Sequence, residues 1–286
     1  MRPLYRTLLL TGLLLILIGF FVSIGAFFGG ASISHMQNAI RDGYRETNYH
    51  NTQEEGEWTD DIEENNLNDI IVFDNGTSIS SIDISLSLAE VIIEKGSSFE
   101  IRTKDIPENE IRTSLSSGGN LRISNKDTNK LSAIFGARWI NRNPQVIISL
   151  PDDLVLSNLS VAIGAGRFSS KEIDVKAEKA RLEVGAGEIV FKNLHTKKLT
   201  ADCGMGSIVL SGRIRGVSLL ECGMGSINAS IEGNRNEYSY NASVGLGNVR
   251  VNDEEISGFG NNRGVKKLDN HLDIECGMGD VRVTIE

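Results

Sequence analysis

Three seven-residue stretches of the chain are near copies: DCGMGSI at 202–208, ECGMGSI at 221–227 and ECGMGDV at 275–281. A cysteine beside glycines admits several chemistries. A thiolate can do redox work or ligate a metal. A Gly-x-Gly can cradle a phosphate. Each reading makes a demand on the rest of the chain. Zinc needs Cys and His at short spacing, and His35, His50, His195 and His271 stand near no such cluster. A dinucleotide loop runs strand, GxGxxG, helix, whereas here a strand pattern follows every glycine pair and no GxxxxGK[ST] occurs. There is no G-x-S-x-G elbow, and nothing in the sequence pairs a serine with His195 or His271. The acidic residues Glu183, Asp202 and Glu221 recur at one place in successive copies. Stacked carboxylates are candidates for calcium, which takes oxygen ligands, although the calcium-binding nonapeptide GGxGxDxUx is missing. A solvated acidic face is the plainer reading.

The cysteines are decided by what the other copies put in their place. Gly-x-Gly recurs at Gly164 and Gly166, Gly185 and Gly187, Gly204 and Gly206, Gly223 and Gly225, Gly245 and Gly247, and Gly277 and Gly279. The intervals between first glycines are 21, 19, 19, 22 and 32 residues. One residue before the pair stand Ile163, Val184, Cys203, Cys222, Val244 and Cys276. Cysteine therefore occupies a slot that Val or Ile fills elsewhere, and it is read as a small buried hydrophobe. Three before the pair come Val161, Leu182, Ala201, Leu220, Ala242 and Ile274, and beyond it Phe168, Ile189, Ile208, Ile227, Val249 and Val281. Alternation of this kind is a strand with one face inward. Periods near 20 predict stacked coils, each too small to bury its own face. The glycines are expected at turns with positive φ. Cys203 and Cys222 fall on adjacent coils with Cβ directions poorly turned for bridging, so free buried thiols are expected.

The same period-two pattern starts near residue 70, in SISSIDISLSLAEVIIE (78–94), SSFEIRT (97–103), NLRIS (120–124) and QVIISLP (145–151). LSAIFGARWI (131–140) breaks it and reads as a short helix or a hydrophobic loop. The long last interval is read as an insertion, NDEEISGFGNNRGVKK (252–267), that protrudes from the stack. It places Phe259 near Arg263, Lys266 and Lys267. The final coil, ending at Glu286, is expected to leave a thinly capped edge open to another chain.

Composition bounds the class. The chain has 286 residues, of which 40% are hydrophobic and only 6% aromatic, and it carries 30 glycines. That balance suits many short strands and tight turns. A net charge of −9 argues against nucleic acid, which selects basic faces. Residues 8–28, LLLTGLLLILIGFFVSIGAFF, carry no charge. At about 1.5 Å per residue such a run spans a bilayer core of roughly 30 Å. Arg2 and Arg6 precede it, and no Lys or Arg follows until Arg41, so the N-terminus is expected in the cytoplasm and the rest outside. Cleavage as a signal peptide near residues 29–31 is the alternative. Residues 31–69 hold ten acidic residues and read as a disordered acidic linker.

The residues 81–101 (SIDISLSLAEVIIEKGSSFEI), 146–166 (VIISLPDDLVLSNLSVAIGAG), and the serial GAGEIVF, CGMGSIVLSG and CGMGSINASIEG resemble the bacterial "putative adhesin", LiaG-like β-strand-repeat family of domains of unknown function. The resemblance covers about residues 70–286. It implies a parallel β-helix or solenoid and a place in the cell envelope. It carries over no active site.

The sequence thus leads to an all-β parallel solenoid of roughly 20-residue coils, preceded by a single N-terminal transmembrane helix. Its regions are the tip and anchor (1–30), the acidic linker (31–69) and the solenoid domain (70–286). The expected function is a non-catalytic, membrane-anchored surface-interaction module with no cofactor. Its partners would be the membrane and a cell-wall or envelope protein, with self-association open. A calcium-assisted polysaccharide-processing enzyme and an end-to-end self-assembling scaffold are the alternatives.

Overall fold

Strands that alternate apolar and polar residues each have one face they cannot bury alone. A lone coil leaves that face in water, and each neighbour stacked on it buries the faces of both. The structure is a computed structural model and describes residues 67–72, 78–106, 111–125, 143–152, 154–258, 261–263 and 267–286. The apolar run 8–28, most of the acidic linker and the stretch 131–140 lie outside those residues. No helix among the described residues is long and apolar enough to cross a membrane.

In chain order the strands are β1 (Leu67–Val72), β2 (Ser81–Leu86), β3 (Glu90–Lys95), β4 (Glu100–Lys104), β5 (Ile111–Leu115), β6 (Asn120–Asn125), β7 (Gln145–Leu150), β8 (Val155–Ile163), β9 (Arg167–Lys171), β10 (Val175–Val184) and β11 (Glu188–Phe191). They continue as β12 (Leu194–Thr196), β13 (Leu199–Cys203), β14 (Ser207–Gly212), β15 (Val217–Cys222), β16 (Ser226–Ile231), β17 (Tyr238–Val244), β18 (Asn248–Val251), β19 (Glu254–Ser257), β20 (Asn261–Arg263), β21 (Asn270–Cys276) and β22 (Asp280–Ile285). The start of β1 at Leu67 puts the expected linker boundary at residue 69 inside a strand.

Every Gly-x-Gly joins a strand of one sheet to a strand of the other: β8 to β9, β10 to β11, β13 to β14, β15 to β16, β17 to β18 and β21 to β22. Successive coils pair in parallel and in register. Val184 stands opposite Cys203, and Cys203 opposite Cys222. Beyond the turn, Ile189, Ile208 and Ile227 form a second column. All the inward positions read from the sequence are buried. The Phe168 and Phe191 rings pack on neighbouring coils with centroids 5.2 Å apart. The described fold is therefore all-β, solenoid-like and largely parallel.

The order of the coils departs from chain order at both ends. One sheet runs β1-β4-β7-β3-β9-β11-β14-β16-β22-β18-β19, and the other runs β20-β17-β21-β15-β13-β10-β8-β2-β6-β5, with β12 beside β10. The last coil, β21–β22, lies between β15–β16 and β17–β18. The first, β2–β3, likewise lies between β6–β7 and β8–β9. The outer coils are closed by antiparallel strands: β4 on β7, β1 on β4 and β5 on β6 at one end, β19 on β18 and β20 on β17 at the other. Two expectations are corrected here. The final coil is an interior layer and offers no edge for end-to-end stacking. Residues 252–267 do not simply protrude, because β19 and β20 within them pair with the stack; Phe259 and Lys266 lie outside the described residues. The exposed Glu254 and Glu255 line β19, and charge on an edge strand discourages further pairing.

Residues 78–94, which read as one alternating run, are instead broken into β2 and β3 around Ser87, Leu88 and Ala89, a seventh turn of the same kind. Ala165 donates its backbone N–H to the Ser87 carbonyl (2.8 Å), and Arg167 to that of Ala89 (3.0 Å).

Candidate functional site

The repeated turn brings three columns of side chains together along one edge of the stack, with the glycine pairs among them. The innermost is the thiol column. Cys203, Cys222 and Cys276 occupy successive rungs, all buried and all free. The Cys203 thiol donates to the Gly206 carbonyl at 3.2 Å. The adjacent Cys203 thiol and burial push Cys222 up from the ordinary thiol range. Burial and Cys222 do the same to Cys276. Cys203 runs the other way, lowered chiefly by its hydrogen bond with Cys222 while burial opposes; Cys222 and Cys276, held protonated and out of solvent, are poor nucleophiles. The thiol column's neighbours in the same slot are Val184 and Val244. That Cys276 joins Cys222 follows from the displaced last coil and was not legible from spacing.

The glycines of the motif act by proximity rather than by handedness. The expectation of left-handed turns is corrected at all twelve. Gly164, Gly166, Gly185, Gly187, Gly204, Gly206, Gly223, Gly225, Gly245, Gly247, Gly277 and Gly279 are all absent from the glycines with positive φ. A Cβ on the second glycine of a pair would instead strike the neighbouring coil. It would lie 2.1 Å from the Gly166 carbonyl oxygen at Gly187, and 2.2 Å from that of Gly206 at Gly225. The displaced last coil meets the same limit on both sides. A Cβ on Gly279 would lie 2.3 Å from the Gly225 carbonyl oxygen, and one on Gly247 would lie 2.2 Å from that of Gly279. At the first glycine the approach is looser: 2.9 Å for both Gly204 and Gly223, and 2.8 Å for both Gly245 and Gly277.

Outside the thiols runs the acidic column. Glu183, Asp202 and Glu221 stand in register on adjacent strands, and the displaced last coil adds Glu275 beside Glu221. Arg181 pairs with Glu183. Burial, then the charge of Glu183, raises Asp202 above the ordinary carboxylate range, with Arg181 opposing. Burial, Asp202 and Glu275 raise Glu221 in the same way. Among the described residues no group of three acidic, His or Cys side chains is arranged to hold a metal ion.

At the tip of each turn sits the residue between the glycines. In spatial order these are Ala165, Ala186, Met205, Met224, Met278 and Leu246, each tip donating its backbone N–H to the turn beneath at 2.7 or 2.8 Å. Met205, Met224, Met278 and Leu246 are 40, 43, 57 and 64% exposed. Beside Ala165 and Ala186 a shallow depression of about 690 Å³ is walled by Pro144 and the Arg167–Glu188 ion pair.

Away from this edge the structure assembles a hydroxyl–imidazole–carboxylate chain that sequence reasoning missed. Ser239 Oγ lies 2.7 Å from His271 Nδ1, and His271 Nε2 lies 3.0 Å from Asp273 Oδ1. Asn241 donates to the same carboxylate at 3.1 Å. Burial works against the Asp273 carboxylate, but these hydrogen bonds and the charges of His271 and Lys267 outweigh it and hold the group below its usual range. The order of residues is that of a nucleophilic triad, but the setting is not. His271 is only 2% exposed, and Ser239 Oγ already accepts from the Leu268 N–H at 2.9 Å. The cluster clamps β21 against β17. Only the coil order, hidden from the sequence, brings Ser239 beside His271.

Parallel in-register coils with a close-packed glycine turn define a strand-repeat domain of the toastrack kind. Residues 79–284 match the family Toastrack DUF4097, and the chain belongs to that family. No curated protein matches it. Solved structures similar to it include a "putative cell adhesion protein" from Clostridium sporogenes, 15% identical with a TM-score of 0.43, covering 76% of this chain and 98% of that one. A "putative lipid binding protein" from Parabacteroides distasonis is 16% identical with a TM-score of 0.39, covering 76% and 96%. A "putative adhesin" from Bacteroides fragilis is 11% identical with a TM-score of 0.30, covering 76% and 98%. Likenesses at this level add nothing to what the strand pairing already shows.

Proposed function

We propose that the chain is a non-catalytic interaction module, held at the outer face of the cell membrane by residues 8–28 and presenting its stacked coils to an envelope partner. The observation that carries this reading is the unbroken set of in-register surface columns across successive coils. Such a lattice fixes side chains at intervals of about 4.8 Å, and its entropy of ordering is already met by folding. A surface of that kind suits binding of an extended partner. The charge-free run 8–28 with Arg2 and Arg6 before it supports the anchor and its orientation.

The test joins topology and capture in the native cells. The three native thiols are buried, so Ser230→Cys, at an exposed position, gives a clean target. A membrane-impermeant maleimide should label it in intact cells. Photo-crosslinkers placed singly on several faces of the stack should trap a partner on at least one. Labelling only after lysis, or no adduct from any face, would overturn the proposal.

A second reading, a calcium-assisted enzyme acting on wall polysaccharide, is favoured by the carboxylate column alone. It requires calcium to raise the melting temperature and Asp202→Asn to abolish the rise. An unchanged melting temperature together with no turnover of wall polysaccharide dismisses it.

A further inference from the structure

Seven large apolar side chains are exposed among the described residues, and four of them, Met205, Met224, Met278 and Leu246, are consecutive turn tips on one edge. With rungs about 4.8 Å apart, these tips form an apolar ridge roughly 14 Å long. An isolated exposed apolar residue needs no explanation, but a contiguous row marks a contact surface. Three of the four are Met, whose unbranched thioether adapts to varied partners. The flanks differ. On one side run Asp202, Glu221 and Glu275, none of them ion-paired among the described residues. On the other run Ser207, Ser226, Asp280 and Asn248.

We propose that this ridge and its acidic flank dock a cationic amphipathic helix of a partner protein, the helix lying along the stack axis with its apolar stripe on Met205, Met224, Met278 and Leu246 and its Lys or Arg side chains over Asp202, Glu221 and Glu275. Charge selects this occupant. A second copy laid antiparallel on the ridge would bring one acidic column against the other, one laid parallel would set that column over the flank of Ser207, Ser226, Asp280 and Asn248, which offers no cation, and an anionic lipid surface would meet the acidic column's repulsion. A helix rises about 1.5 Å per residue, so nine or ten residues cover the ridge. Its i, i+4, i+7 stripe advances at about 5 Å per contact, close to the rung spacing. The depression beside Ala165 and Ala186 continues the edge and would take a longer helix's next bulky side chain.

The inference rests on the interaction reading above and can fail without it. Its test uses the full-length chain in zwitterionic nanodiscs and a fluorescent fourteen-residue amphipathic peptide of Leu and Lys. Anisotropy should show saturable binding that weakens with salt. An otherwise identical peptide with Glu for Lys should not bind. The pair Met224→Gln and Met278→Gln, at exposed sites, should weaken binding by roughly tenfold or more. Asp202→Asn with Glu221→Gln should weaken it several-fold and flatten the salt dependence. Circular dichroism melts of the variants would show that the stack is intact. Equal binding of the acidic peptide, no binding of the basic one, or no effect of the Met substitutions overturns the proposal. So does Met-dependent dimerisation, or Met-dependent flotation with anionic vesicles. If the ridge fails while crosslinkers on another face still trap a partner, the interaction reading stands and this surface is wrong. Silence on every face removes both.

Discussion

At the scale of the residue, the repeated motif is a packing device whose tolerance differs sharply from one position to the next. The second glycine faces backbone that cannot yield: a Cβ at Gly225 would sit 2.2 Å from the Gly206 carbonyl oxygen and 2.7 Å from Cys203 Sγ. The first glycine of the same turn faces its nearest atom at 2.9 Å. Gly225→Ala should therefore destabilise by about 2–4 kcal/mol, through forced backbone shift and overpacking. Gly223→Ala should cost clearly less. Urea titration of the pair checks the order, and equal midpoints would refute it. The cysteine slot should be permissive, because Val184 and Val244 already fill it on other rungs. Cys222→Val should change stability by less than about 1.5 kcal/mol. A loss of several kcal/mol would mean that the thiol does something a methyl cannot.

At the scale of the element, the decisive fact is that the last coil is an inner one. β21 pairs with β15 on one side and β17 on the other, and β22 pairs with β16 and β18. The chain's end is stapled as well: the Ile285 N–H donates to Asn252 Oδ1 at 2.8 Å, and Glu286 to the Ile231 carbonyl at 3.0 Å. Hydrogen exchange should find the β21 and β22 amides among the slowest in the chain despite their terminal position, with β19 exchanging fast. Rapid exchange over residues 270–285 would contradict the displaced order. This element also marks what sequence can and cannot reveal. The strands, their inward faces and the thiol slot were legible, because alternation and a 19-residue period report local burial directly. The placement of β21–β22 was not, since every coil presents the same apolar face and any coil could stack on any other. The seventh turn at Ser87, Leu88 and Ala89 carries no glycine, so the motif did not find it. The signal was a slip of phase: Ile82, Ile84 and Leu86 are buried, then Ala89, Val91 and Ile93.

At the scale of the whole molecule, the same stacking that buries the apolar face aligns like charges on the outer one. Four carboxylates, Glu183, Asp202, Glu221 and Glu275, follow one another across four coils of a chain whose net charge is −9. Each rung gained by packing brings a further repulsion, and Arg181, ion-paired with Glu183, offsets it only in part at Asp202 and Glu221. The consequence has a definite sign. Asp202 and Glu221 sit above the ordinary carboxylate range in the folded chain, chiefly through burial and then through neighbouring charge. The folded state thus holds their protons more tightly than the unfolded state does. Their contribution to stability is fully present below the unfolded pKa of about 4 and is lost as pH rises through the higher folded values. Asp273 runs the other way: its lowered carboxyl stabilises above the unfolded range and stops doing so as pH falls through the folded value. The net curve therefore mixes opposing groups, and the difference between wild type and Asp202→Asn isolates the column. The variant should gain melting temperature relative to wild type as pH rises from about 4 to 7, because its amide has no charge to be repelled. Raised salt should shrink the gain. A gap that stays constant across that pH range, or that closes with rising pH, would show that the carboxylates are not repelling one another and that the column is balanced by partners on the surface.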